Sequence, residues 1–235
     1  MLGIDTATSD VAVACVRGEE TLFEELVGPR PEGRPRHSSA LLELVARAVD
    51  AAGGWERVEA IAVGLGPGTF TGLRVGIATA RALAQARAVP LVGVSSLEAL
   101  ACGIDAPRGH PRLALLDARR GEVFGLLCGA DGEVTWAPFV ESPEALTARI
   151  AELRPAPVAA GDGSLRFRQE LEAAGAEVPA DADPMHRMAP RNICALAAGA
   201  KRVAPELIRP IYLRRPDAEV WREQQGHGAG PGGRG

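Results

Sequence analysis

The chain has 235 residues, 46% of them hydrophobic and 24% charged, with a formal net charge of −4. That length carries one large or two small cores, and the acidic balance excludes a global basic field that would draw nucleic acid to the whole surface. No segment reaches the roughly 18 unbroken apolar residues of a membrane span, and the N-terminus MLGIDTATSD has neither a basic region nor a long apolar run, so a cytoplasmic protein is the expectation.

Residues 1–5 predict a short apolar strand, Thr6–Ser9 a polar turn, and 11–17 and 21–27 two returning strands, a β-meander opening on a hydroxyl-rich hairpin. GPRPEGRPR (28–36) breaks regular structure. A helix follows from Ser38 to about Gly53, with two apolar stripes: Leu41, Leu44, Val45 and Ala48 on one, Leu42, Ala46 and Val49 on the other. Two stripes predict burial on two sides. Residues 59–64 read as a strand that feeds GLGPGTFTGLRVG (64–76). A helix over 71–88 then carries Gly72, Gly76, Ala80 and Ala84 at every fourth position, a small-residue ridge on which another helix can lie closely. Pro90 leads into a strand, LVGV, and Ser95 or Ser96 caps a short helix.

A loop at 103–111 marks a plausible boundary. Beyond it the opening order repeats: a strand ending in Asp117, a polar turn, and returning strands over 122–128 and 133–140. Ser142-Pro143 starts a helix, 157–161 is a buried strand ending in Gly-Asp-Gly, and helices are expected at 164–174 and 190–203. The division expected is an N-terminal lobe at 1–104, a C-terminal lobe at 105–221 whose last segment packs back on the first, and a low-complexity tail at 222–235 whose composition predicts disorder.

The reactive groups are sparse. Lys201 is the only lysine, which nearly excludes lysine chemistry. Cys15, Cys102, Cys128 and Cys194 are far apart with no C-x-x-C pair and read as buried reduced thiols. The loop at 64–76 is neither of the two standard phosphate fingerprints, because no Lys-Ser/Thr pair follows it and no ribose-reading carboxylate stands about twenty residues on. His37, His110, His186 and His227 form no H-x-x-x-H pair, and no G-x-S-x-G elbow exists. No catalytic or metal-binding residues are assigned. Trp136 and Trp221 read as packing residues.

A βββαβα order repeated in two halves, with Asp5 and Asp117 ending the first strands, is the plan of the two-lobed actin, hexokinase and Hsp70-type ATPases, an α/β fold of duplicated ribonuclease H-like lobes. IDTATS, GLGPGTFTGLRVGIATARALA, GVSSLEALA, DARRGEV and PIYLR, in order over 1 to about 221, resemble the TsaB (YeaZ) family of tRNA threonylcarbamoyladenosine synthesis. The resemblance implies a two-lobed subunit without catalysis of its own, partnered with a TsaD-like catalytic subunit and a TsaE-like ATPase, with tRNA reached through that complex; the helix surface that would meet the partner also predicts a homodimer when the chain is alone.

In that ATPase plan Asp5, Thr6 and Thr8 suit a first phosphate turn, with Gly66, Gly68 and Thr69 beside it. Asp117-Ala118-Arg119-Arg120 departs from the glycine wanted in the second turn, and Asp162 stands where small residues belong. No cofactor is therefore assigned to the chain alone, and a magnesium nucleotide is expected only where a partner completes the site. Asp117, Arg119 and Glu122 suit either a local ion pair or the cleft. The partner or dimer face is placed on His37, Leu41, Leu42, Val45 and Val49 of the first long helix and on Thr71, Gly72, Arg74, Val75, Gly76, Thr79, Ala80 and Leu83 of the second, with Arg74 and Arg81 flanking the ridge. A degenerate sugar or acyl kinase of the same fold and an RNA-binding module remain the alternatives.

Overall fold

The computed structural model describes residues 1–30 and 37–214, and in 37 and 38 the backbone alone. The expectations for Trp221, His227 and the tail lie outside the described residues. Lobe one holds β1 (Leu2–Asp5), β2 (Val11–Arg17), β3 (Glu20–Val27), α1 (His37–Ala52), β4 (Ile61–Gly64), α2 (Phe70–Arg87), β5 (Leu91–Val94) and α3 (Ser96–Ala101). Its sheet runs β3-β2-β1-β4-β5, with β1 antiparallel to β2 and parallel to β4. Lobe two repeats the plan with β6 (Arg112–Arg119), β7 (Glu122–Cys128), β8 (Val134–Glu141), α4 (Pro143–Ile150), β9 (Val158–Ala160), α5 (Asp162–Arg166) and α6 (Arg168–Ala173), in a sheet of order β8-β7-β6-β9.

Strand alternation sorts the side chains into layers. Leu2, Ile4, Val11, Val13, Ile61 and Val63 point to α1 and α2 in one core. Ala12, Ala62 and Val92 point the other way, into a middle core shared with Ala114, Leu116, Leu126 and Ala160 of the second sheet and with α3. Leu113, Leu115 and Leu127 face a third core under α4 and α6. The two lobes therefore share apolar burial and not merely a linker.

The expected long helix at 190–203 is shorter. It is α7 (Arg191–Ala198), which contributes Ile193 and Ala197 to the middle core. Gly3 is what lets it approach, since a Cβ there stands 2.6 Å from Cys194 Sγ. After α7 the chain runs back along lobe one. Val203 pairs with Leu91 at the free edge of β5, Ile208 enters the first core, and the Ile211 amide donates to Leu65 O at 2.8 Å. Arg214 then reaches across to Glu122 on lobe two at 2.8 Å.

The expected helix at 164–174 is broken into α5 and α6 at Phe167. α1 ends as predicted at Gly53 and Gly54, whose φ of 89° and 107° suits glycine. Ser95 is the N-cap of α3, its hydroxyl accepting from the Glu98 amide, which leaves Ser96 for another task. Among the described residues no helix is long and apolar enough to cross a membrane.

Candidate functional site

Two features carry the expected function: the cleft between the lobes and the outer face of α1 and α2. The cleft, about 690 Å³, is lined by the β1–β2 turn, by Asp162 and by the loop from Asp181 to Arg191.

Asp5 is not poised for a metal-bound water, as expected from the fold plan. It is 2% exposed, its carboxylate accepting from the Ala7 amide at 2.6 Å and from the Ser96 hydroxyl, whose oxygen in turn accepts from the Gly66 amide. Burial raises its pKa from the ordinary 3.8 to about 6 against the opposing effect of those two bonds. A Cβ on Gly64 would stand 1.6 Å from Asp5 Oδ2, so the glycine exists to let this carboxylate in. The carboxylate thus ties β1, the glycine-rich turn and α3 together.

The glycine-rich turn is closed by the same means. Gly68 lies so close to the first hairpin that a Cβ would meet Ala7 O at 2.3 Å, and the Thr69 amide donates to that carbonyl at 2.7 Å. The amides of Gly66 and Thr69, the donors a phosphate would use, are occupied by Ser96 and Ala7. In this chain the Gly66 and Thr69 amides are therefore not open to a phosphate. Thr69 holds the N-cap position of α2 but its hydroxyl makes no cap bond. Thr8 stays at the cleft, with its hydroxyl accepting from the Asp10 amide at 3.2 Å.

The second hairpin is neutralised differently. Asp117 accepts from Arg166 at 2.9 Å and from Arg119 at 3.1 Å, while its own amide donates to Asp162 Oδ1 at 2.9 Å. A carboxylate therefore sits on the amide that a phosphate would need. Glu122 pairs with Arg214 and not with Arg119. Seven carboxylates and two guanidinium groups line the cleft, and both of the latter are paired, Arg187 with Asp10 and Arg191 with Glu24. A magnesium triphosphate implied by the fold does not fit this chain: the Asp5 carboxylate and the Gly66, Thr69 and Asp117 amides are engaged within the chain, and both cleft guanidinium groups are paired.

His186, which its sequence context left isolated, is a buried pin. Its Nε2 lies 3.0 Å from Pro179 O, and its Nδ1 accepts from the Gly161 amide at 3.3 Å beside Ser164 Oγ at 3.2 Å. This is no nucleophilic pair, because Ser164 is fully buried and its hydroxyl donates to Gly161 O. Nor are the thiols activated: burial pushes Cys128 up to about 11 and Cys194 up to about 12. Cys102, expected to be buried, is exposed. Among the described residues no three potential metal ligands gather.

On the helical face the structure reverses the reading of the ridge. Gly72, Gly76 and Ala80 are buried in this chain, not offered to a partner. Thr6, also buried, donates its hydroxyl to Gly72 O at 2.7 Å, and a Cβ on Gly76 would meet Thr6 Oγ1 at 2.2 Å. The ridge is the seat of α2 on its own first hairpin. Likewise Leu41, Val45 and Val49 belong to the first core, while Leu42 is 59% exposed. His37 opens α1, and its side chain lies outside the described residues.

What remains outward on α2 is a second small-residue row, Ala78, Ala82 and Ala86, exposed at four-residue spacing, with Val75, Thr79 and Leu83 half-buried beside it and Thr71 and Arg74 exposed at its head. The sequence reading missed these alanines although they show the same period. Nothing in a spacing of four tells which of two small rows faces inward; Thr6 and the sheet decide that.

The topology and the cleft define a two-lobed protein of the actin, hexokinase and Hsp70 class whose nucleotide-binding groups are occupied by its own side chains. Comparison with known proteins narrows this class. A family model described as TsaD, tRNA N6-adenosine threonylcarbamoyltransferase, matches residues 21–134. The chain is 33% identical over 239 residues to the tRNA threonylcarbamoyladenosine biosynthesis protein TsaB of Escherichia coli strain K12, covering 96% of this chain and 98% of that protein. It is 26% identical to the protein of the same name from Bacillus subtilis strain 168, covering 96% and 99%. The solved structure of YeaZ from Pseudomonas aeruginosa superposes with a TM-score of 0.72 at 26% identity, covering 90% of this chain and 98% of that one. The chain belongs to the TsaB family.

Proposed function

We propose that this chain is a non-catalytic partner subunit in the transfer of a threonylcarbamoyl group to the adenosine next to the anticodon of tRNAs reading codons that begin with A, acting with a TsaD-like catalytic subunit and a TsaE-like ATPase. The observation that carries the reading is the outer face of α1 and α2. These helices contact one another, and each carries outward apolar residues, Leu42 at 59% exposed on α1 and the alanine row on α2. Small residues on a helix let a second helix approach closely, and exposed apolar area of this kind marks a protein contact. The catalytic subunit docks there through helices of its own, and a second copy of this chain takes the same face when the partner is absent, since one self-complementary patch serves a two-fold dimer. The subunit contributes order and position to the catalytic partner, a coupling role rather than a chemical one. It reaches tRNA as part of that assembly.

Leu42→Asp and Ala82→Arg test this. Both sites face outward, so each variant keeps the stability of the parent to within about 0.5 kcal/mol. Each is expected to lose co-purification with the catalytic subunit and to remain monomeric by light scattering. Retention of the complex by both would refute the face assigned. Reconstitution of tRNA modification with and without this chain measures the role itself, and equal yields in the two would refute it.

A further inference from the structure

The C-terminal strap joins two arginine-bearing elements that lie far apart in sequence. At the head of α2 the Arg74 guanidinium lies 3.6 Å from the centre of the Phe70 ring, and Phe70 packs at 5.6 Å on Tyr212, the single tyrosine of the chain, which is 42% exposed. Two residues on, Arg214 is paired to Glu122. Glu122 stands opposite Arg119 across the β6–β7 turn, and Arg119 and Arg166 share the single carboxylate of Asp117. Their side chains are 64% and 43% exposed.

The hairpin backbone is unusual in its own right. Among the described residues only three non-glycines have positive φ, and two of them are Arg119 at 63° and Arg120 at 54°. The two-residue turn itself is Arg120-Gly121, whose positive φ values of 54° and 80° are what such a hairpin requires and favour Asn-Gly, whereas Arg119 pairs with Glu122 just after a register shift in the strand. Backbone strain of this kind collects where a side chain is needed in one place.

We infer that this strip, from Arg74 through Tyr212 to Arg119, is a direct contact for the RNA backbone and a stacking surface for an unpaired base. The inference rests on the partner reading above, because the α1–α2 face and the strip meet at the head of α2. An elongated row of guanidinium groups with an exposed aromatic ring fits a polyanion carrying bases. A protein hot spot also draws on Tyr and Arg, and a contact of that kind is the competing outcome that the test separates. The wider cleft surface is acidic, so the strip confines RNA to one edge of the molecule.

The test is the affinity of the assembled complex for unmodified tRNA, measured between 50 and 200 mM salt. Arg74→Gln and Arg119→Gln are each expected to flatten the plot of log K against log salt by about 1. Tyr212→Ala is expected to lose about fivefold or more at every salt concentration, and Tyr212→Phe to restore it. Arg119→Gln, remote from the α1–α2 face, keeps the experiment decisive if Tyr212→Ala proves unstable. Unchanged slopes in an intact complex overturn the inference, as does loss of assembly with tRNA affinity otherwise unchanged, which makes the strip a protein contact. If the parent chain does not assemble at all, the partner reading fails by itself. The same titration on the isolated chain then decides the strip: salt-dependent tRNA binding lost in the two arginine variants supports it, and its absence in the parent overturns it.

Discussion

The two opening hairpins share one plan and deal with their carboxylates in opposite ways. Asp5 is withdrawn from water, under a turn whose glycines admit it, and is held by a hydroxyl and an amide. Asp117 stays near the surface between two guanidinium groups. Burial keeps Asp5 partly protonated near neutral pH, whereas paired charges hold Asp117 in place. The same backbone frame survives either solution, because the frame depends on strand pairing and apolar burial, and the end of β1 or β6 tolerates any arrangement that satisfies its polar atoms.

The most disruptive way to break the first hairpin is Gly64→Ala, which sets a Cβ against Asp5 Oδ2 and Ser96 Oγ, buried side-chain atoms already bonded to one another. A loss of at least about 3 kcal/mol is expected, read as a collapse of the denaturant midpoint. Asp5→Asn probes the same site through pH. Because the folded pKa lies above 3.8, the contribution of Asp5 to stability is full below about pH 4 and is lost as pH rises through about 6. The asparagine variant, which does not titrate, should gain on the parent by about 3 kcal/mol between those limits, and a constant difference across the range would show that Asp5 is not shifted.

Gly76→Ala should cost about 1–3 kcal/mol, or roughly 3–10 °C in Tm, by pressing on Thr6. Adding Thr6→Ala removes the colliding oxygen, so the double variant should be more stable than the sum of the two single changes predicts. If the effects simply add, the ridge is not seated on Thr6. At the second hairpin the effects are smaller. Arg166→Ala leaves Asp117 with Arg119, and as an ion pair with a 43% exposed partner it should cost less than about 1 kcal/mol, declining further in salt. A larger loss would mean that the two hairpins are not held by different means after all.

Much of the frame was legible in the order of residues. Both β-meanders, the long α1 and α2, the stop at Gly53 and Gly54 and the repeat of the plan in lobe two follow from period and turn chemistry. The misreadings share one cause. α7 and the strap contact strands more than a hundred residues away, so their lengths answer to Gly3, Leu65 and Leu91 and not to local propensity. The small residues of α2 were recognised as a device for close approach, and that was correct in kind, but the approach is to Thr6 of the same chain. His186 was overlooked because its partners, Gly161, Ser164 and Pro179, join it only in the folded chain.

The sequence by itself determined the duplicated α/β plan, the family motifs and the lack of a metal pair or nucleophile elbow, since these depend on residue types at short spacing. Tertiary structure alone decided which helix face is used internally and which is left exposed. It also decided that Asp5 and Asp162 accept from groups of their own chain, and that Arg74 stacks on Phe70, which packs on Tyr212. The physical reason is that burial and charge neutralisation are properties of neighbours in space, and those neighbours come from segments that the chain order keeps apart.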